Sequence, residues 1–154
     1  MNVNDPAYSE FVRTAVLTQT VYTLQDQQGL FAECPSESYQ DDFGEPTPVY
    51  CFWHHADTAR SCQQEEWANY ELIAVSLTDF MYEILIEMDQ QEQLLGVAFD
   101  AELYGSEVEP IELLGDLLDE IQRRNMIDDF PDFDELQRYR LEWEQMLRQN
   151  QIIH

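Results

Sequence analysis

What most narrows the folds open to this chain is a change of hydrophobic period along its length. Five short runs are rich in β-branched and aromatic residues, at 20–24, 30–34, 49–53, 72–77 and 94–99, and read as strands. Around them apolar residues recur at helical spacing. Tyr8, Phe11, Val12, Ala15 and Val16 form one stripe, opened by Asp5 as cap and Pro6 at the first helical position. Over 55–68, Ala56, Ala59, Gln63 and Trp67 share a face with Cys62 beside them. Ser76 or Thr78 caps a helix that buries Phe80, Met81, Ile84, Leu85 and Met88. Glu109-Pro110 opens the cleanest stripe, Ile111, Leu114, Leu117, Leu118 and Ile121.

The order is therefore α-β-β-β-α-β-α-β-α-α. Such a series fits an α+β fold: a single antiparallel or mixed sheet of about five strands, with helices packed on it and a C-terminal helix added. The first two strands are expected to pair as a hairpin across Asp26 to Gly29, with Gly29 supplying the left-handed angle. The stretch PSESYQDDFGEPTP, 35–48, reads as a surface loop because it is acidic and carries three prolines and a glycine. Pro131 interrupts the chain before Asp132-Phe133-Asp134-Glu135, a capping-box pattern. The last helix then aligns Phe133, Leu136, Tyr139, Trp143, Met146 and Leu147. This suggests an α+β core over 1–125 and a helical extension over 126–154 that folds back on it.

Charge excludes more functions than any motif supports. Of 154 residues, 32 are acidic and 7 are basic, for a net charge of −25, and all seven cations are arginine. Between Arg60 and Arg123 lie 16 acids and no cation. Direct phosphate binding to DNA or RNA needs cations, and an anionic membrane surface repels such a chain. A folded chain of this mass has about one net charge per 300 Å², against about one per 100 Å² on duplex DNA. Nucleic-acid mimicry would therefore need the acids gathered on one face. With 44% hydrophobic and 12% aromatic residues the chain has material for a core. It has no apolar run of membrane-spanning length, and MNVNDPAYSE does not read as a signal peptide. A cytoplasmic protein with free thiols is expected.

VYCFWHHADTARSCQQEEW, 49–67, holds two of the three cysteines, two of the three histidines and two of the three tryptophans. Cys51, His54 and Cys62, joined by Cys34, are the candidate zinc ligands, but the paired spacing of zinc modules is missing. Cys51 should share a strand face with Val49 and Trp53, as a small buried hydrophobe does. His54 and His55 are placed to bond backbone where strand turns to helix. The acids Asp128 to Glu135 lack the order of a calcium loop. No nucleophile-elbow, phosphate-loop, dinucleotide or H-E-x-x-H motif is present, and a reactive thiolate finds few cations here. No cofactor is therefore expected. Tyr139, Trp143 and Met146 are the candidate partner-binding residues if the last helix leaves an aromatic patch exposed.

VYTLQDQQGL, VYCFW, EEWANYELIAVSLTDFM, LLGVAFD and EVEPIELLGDLLDEI together resemble an uncharacterised bacterial family, domain of unknown function 2750. The likeness rests on Trp53, Glu66-Trp67, Tyr70, the helix start from Ser76-Leu77 to Phe80, Val97, Phe99 and the helix from Pro110 to Leu118. It spans roughly residues 20 to 122. The resemblance implies a compact bacterial α+β domain in the cytoplasm. It brings no activity and no site residues. The functional expectation is a small acidic non-enzymatic binding protein that contacts a basic protein partner or a second copy of itself, in its sharpest form a nucleic-acid mimic. The alternatives are a metal protein or small enzyme built on the Cys51–Cys62 segment, and a structural or oligomeric subunit.

Overall fold

The computed structural model of the chain describes the backbone of residues 5–153 and the side chains of residues 5–146. Its elements run α1 (Pro6–Thr18), β1 (Thr20–Gln25), β2 (Glu33–Gln40), β3 (Pro46–Trp53), α2 (Ala56–Ser61), a 3₁₀ turn (Glu65–Trp67) and β4 (Glu71–Ser76). Then come α3 (Leu77–Asp79), a π-helical segment (Phe80–Leu85), α4 (Ile86–Gln90), β5 (Leu94–Val97), β6 (Ser106–Val108), α5 (Pro110–Arg123), a second 3₁₀ turn (Ile127–Asp129) and α6 (Phe133–Ile153). The α+β expectation holds: the described residues form one open mixed sheet of six strands.

The sheet order is β4-β1-β3-β5-β6, and β2 adds to β3 off that path. Only β3 and β5 run parallel, with Cys51 opposite Gly96. β1 pairs with the end of β3 (Tyr22 with Trp53), and β2 pairs with its beginning (Cys34 with Val49). The two strands therefore share one edge of β3, because β5 holds the other.

Alternation along β3 and β5 sends side chains to both faces, and both faces are buried. Phe52, Leu95 and Val97 face a large core shared with Phe11 and Val16 of α1, Phe80 and Met81, and Leu114, Leu117 and Leu118 of α5. Val49, Cys51, Trp53 and Leu94 face a smaller core with Leu24, Cys34, Ala59, Cys62, Trp67 and Phe99. Thr23 is buried too, and its hydroxyl donates to the Cys51 carbonyl at 2.9 Å.

The caps follow the local rules. The Asp5 carboxylate accepts from the Ala7 amide at 3.0 Å, and Ser76 Oγ accepts from the Asp79 amide at 3.1 Å. All five residues of the Ile111–Ile121 stripe are buried. Phe130, Phe133 and Leu136 join the larger core, with Tyr139 and Trp143 packed half-buried against it. Leu147, on the same predicted stripe, lies outside the residues whose side chains are described. Among the described residues no helix is long and apolar enough to cross a membrane.

Three local expectations fail in whole or in part, and one strand was not expected at all. The chain does turn back across Asp26 to Gly29, with Gly29 left-handed, a bridge between Gln25 and Phe31 and the Ala32 amide donating to the Leu24 carbonyl at 2.8 Å, but the pairing stops there and β1 and β2 each ladder onto β3 instead. Residues 35–48 are not a loop but most of a second hairpin. Its prolines sit where the register slips between Pro35 and Gln40, as strand prolines do at irregularities. The helix over 55–68 is only six residues long; the chain is extended at Gln64 before a 3₁₀ turn that begins at the left-handed Glu65 (φ 53°). Finally, β6 is three residues of Ser-Glu-Val, too short to give a period.

Candidate functional site

One turn is built three times. Asp26, Asp41 and Asp100 each close a five-residue loop in the same way. The aspartate amide donates to the carbonyl four residues on, at 3.0, 2.8 and 2.9 Å respectively. Its Oδ1 accepts the amides two and four residues on: Gln28 and Leu30, then Phe43 and Glu45, then Glu102 and Tyr104, all at 2.8–3.1 Å. The fourth position is left-handed in each copy. Gly29 (φ 84°) and Gly44 (φ 80°) take it without strain, but in the third turn Leu103 takes it at φ 65°. A branched residue there costs about 1–2 kcal/mol. Leu103 remains 43% exposed, so burial does not obviously repay that cost.

Six described residues other than glycine have positive φ. Gln19, Glu92 and Asn125 lie where α1, α4 and α5 end, the ordinary place for such angles. Of the remaining three, Glu65 and Leu103 line one groove, and Ala98 directly precedes Phe99, which also lines it. Backbone strain gathered in one place marks a candidate functional site.

Three segments form the groove. Its first wall is the start of β2, Glu33 to Glu37. The second is the turn from Cys62 to Trp67. The third is the loop from Ala101 to Gly105. Bonds between the segments hold their places. Gln64 Nε2 donates to the Ala101 carbonyl at 3.0 Å. The buried Trp53 Nε1 donates to the Phe99 carbonyl at 2.8 Å, and the Cys62 thiol faces the carbonyls of Phe99 and Asp100 at 3.7 and 3.4 Å. Trp67 packs edge-on against Trp53, ring centroids 6.0 Å apart. Across the groove Glu107 of β6 accepts from the Ser36 hydroxyl at 2.5 Å and the Glu37 amide at 2.9 Å, tying the displaced end of β2 over the smaller core.

The lining is chemically lopsided. Glu33, Glu37, Glu65, Glu66, Glu102 and Glu107 form the rim; Cys34, Pro35, Trp67 and Leu103 supply apolar surface; no lysine or arginine among the described residues lines it. The hollow beside Trp67 has a volume of about 210 Å³ and joins a second at Cys34, Pro35 and Leu103. Small-molecule pockets run to about 300–1,000 Å³, so the first hollow suits a single side chain.

The sequence candidates separate in space. Cys34 and Cys51 touch, Sγ to Sγ 3.7 Å, well beyond a disulfide bond. Hydrogen bonding from Cys51 holds the Cys34 thiol below its ordinary range, and the same contact with burial drives Cys51 well above it. Burial also raises Cys62. Cys51 shares its face with Val49 and Trp53, as expected. His54 points the other way, edge-on to Phe11 at 5.6 Å, so the four candidate zinc ligands do not meet. Its Nδ1 is buried without a hydrogen-bond partner, contrary to the expected backbone bond. Burial, with His55 adjacent, lowers its pKa.

Tyr139 donates to Asp89 at 2.5 Å, and burial together with that carboxylate pushes its pKa up to about 12. Trp143 is half-buried, and Met146 is 62% exposed. Sequence reasoning gave no functional role to the groove residues Leu103, Glu65, Glu66 and Glu102. The usable signal was the repeated pattern Asp-x-x-Gly-x at 26 and 41, with leucine replacing glycine at 103.

The family model described as "Protein of unknown function (DUF2750)" matches residues 8–117, more than half of the chain and including α1, which the resemblance had left out. No curated protein and no solved structure matches.

Proposed function

We propose that this chain, which belongs to the DUF2750 family of proteins of unknown function, is a non-enzymatic binding module whose groove takes a lysine- or arginine-bearing segment of a basic protein partner. The observation that carries the reading is the convergence of six glutamates, with no cation among the described residues, on a partly apolar groove. Lysine and arginine lay an aliphatic stem on apolar surface while the charged head stays among polar groups, and this groove offers both at once. The net charge of −25 steers cationic surfaces toward the molecule and turns nucleic acid away. The reading includes a cytoplasmic setting, which three buried thiols outside any disulfide favour.

Amide shifts of the whole protein titrated with an arginine-rich peptide test this. Saturable shifts concentrated at residues 33–37, 62–67 and 99–105 are expected, with none from an acidic peptide of equal length. Shifts spread evenly over the acidic surface would remove the groove from the account.

A further inference from the structure

On the opposite side of the sheet from the cysteines, two elements bring three metal-ligating side chains together. Glu10 lies on the exposed face of α1. His54 and His55 follow the last residue of β3, directly before α2. Successive residues of an extended strand point apart, but here the chain turns and the two imidazoles come within 4.4 Å, centroid to centroid. One ligand atom from each of Glu10, His54 and His55 lies within 4.8 Å of the other two, and no other described trio of His, Cys, Asp or Glu does the same.

The surroundings leave these groups available. His54 Nδ1 is buried without a hydrogen-bond partner, although buried polar atoms nearly always have one. His55 precedes α2 but its side chain makes no capping bond. Phe11 packs against His54 and holds the ring in place, a restraint that favours binding by limiting what must be ordered.

We infer that Glu10, His54 and His55 form a site for one divalent transition-metal ion of the zinc class. Two imidazoles and one carboxylate are a standard donor set for such an ion, and they leave a fourth position for water. Tetrahedral ligation at about 2.0–2.2 Å needs donor atoms about 3.4 Å apart. Contraction from 4.8 Å is a matter of side-chain rotation, since Glu10 and His55 are exposed. The bound ion would clip α1 to the β3–α2 junction and raise the melting temperature. The site is independent of the glutamate groove, and its failure leaves that reading standing.

The test is titration of the whole protein with Zn²⁺, repeated with Co²⁺ for its absorption spectrum. One saturable equivalent is expected, with a zinc-dependent rise in melting temperature and no thiolate-to-cobalt band in the near ultraviolet. His55→Ala and Glu10→Gln should each weaken binding at least about tenfold, since loss of even an outer-shell partner costs about 10–100-fold. Both change exposed side chains, so their metal-free melting temperatures should match that of the parent. Cys34→Ser should bind as the parent does. Weak unsaturable binding, binding indifferent to both substitutions, or a thiolate band would each overturn the assignment.

Discussion

Replacing Leu103 by glycine and by alanine separates backbone strain from side-chain use at the groove. Both variants delete the same exposed branched side chain. Only glycine relieves the left-handed angle of 65°. The strain is about 1–2 kcal/mol, and the extra entropy that glycine loses on folding is about 0.5–1 kcal/mol. Leu103→Gly should therefore be more stable than Leu103→Ala by about 0.5–1 kcal/mol. For a domain of this size that is a difference of about 2–3 °C in melting temperature. Gly29→Ala supplies the calibration, because its angle is 84° and nothing lies within 4 Å of an added Cβ, so only backbone cost is measured. Urea unfolding with a shared slope gives the numbers. Both Leu103 variants should bind an arginine-rich peptide more weakly than the parent, and to an equal extent. If alanine is as stable as glycine at 103, the turn is not strained as described. If both bind like the parent, Leu103 is not held there for the groove.

Two further outcomes follow from packing and charge. A Cβ on Gly105 would lie 2.0 Å from Phe99 Cδ1 and 2.8 Å from the Val97 carbonyl oxygen. Gly105→Ala should cost about 1–3 kcal/mol in urea unfolding, less when combined with Phe99→Leu, and additive effects would contradict the contact. Asp116 is half-buried, accepts from Tyr8 at 2.5 Å and neighbours Asp119 and Arg140, and burial lifts its carboxyl above the ordinary range. A raised native pKa means a stabilising contribution that is complete below the ordinary value near 3.8 and lost as pH rises through the native one. Asp116→Asn, which can still accept from Tyr8, should therefore gain most over the parent at neutral pH, with the gap in melting temperature closing on acidification. A gap that widens in acid would contradict the sign.

The elements legible in the sequence are those whose period is long or whose caps are explicit. Asp5-Pro6 and Glu109-Pro110 mark helix starts by chemistry that acts within one turn, and the Ile111–Ile121 stripe spans three turns. Cys51 was placed on its correct face because alternation in a strand needs no knowledge of partners. The hairpin over 35–48 was hidden because its prolines tolerate a strand only where the ladder slips, and in that stretch Ser36 bonds Glu107 rather than β3. That contact joins residues 71 apart in sequence, beyond any local rule. The groove was illegible for the same reason: its walls come from β2, the turn before β4 and the loop after β5.

Two variants of equal net charge test where the negative charge acts. Glu65, Glu66 and Glu102 line the groove; Glu83, Asp128 and Glu142 are exposed residues outside its lining. Each carboxylate at about 6 Å from a bound cation contributes about 0.7 kcal/mol in water, so neutralising three should weaken an arginine-rich peptide roughly 30-fold at low salt. That loss is expected for Glu65→Gln with Glu66→Gln and Glu102→Gln. Little change is expected for Glu83→Gln with Asp128→Asn and Glu142→Gln, and the difference should fade as salt shortens screening from about 10 Å to about 3 Å. Equal losses in the two variants, or an affinity indifferent to salt, would contradict this expectation.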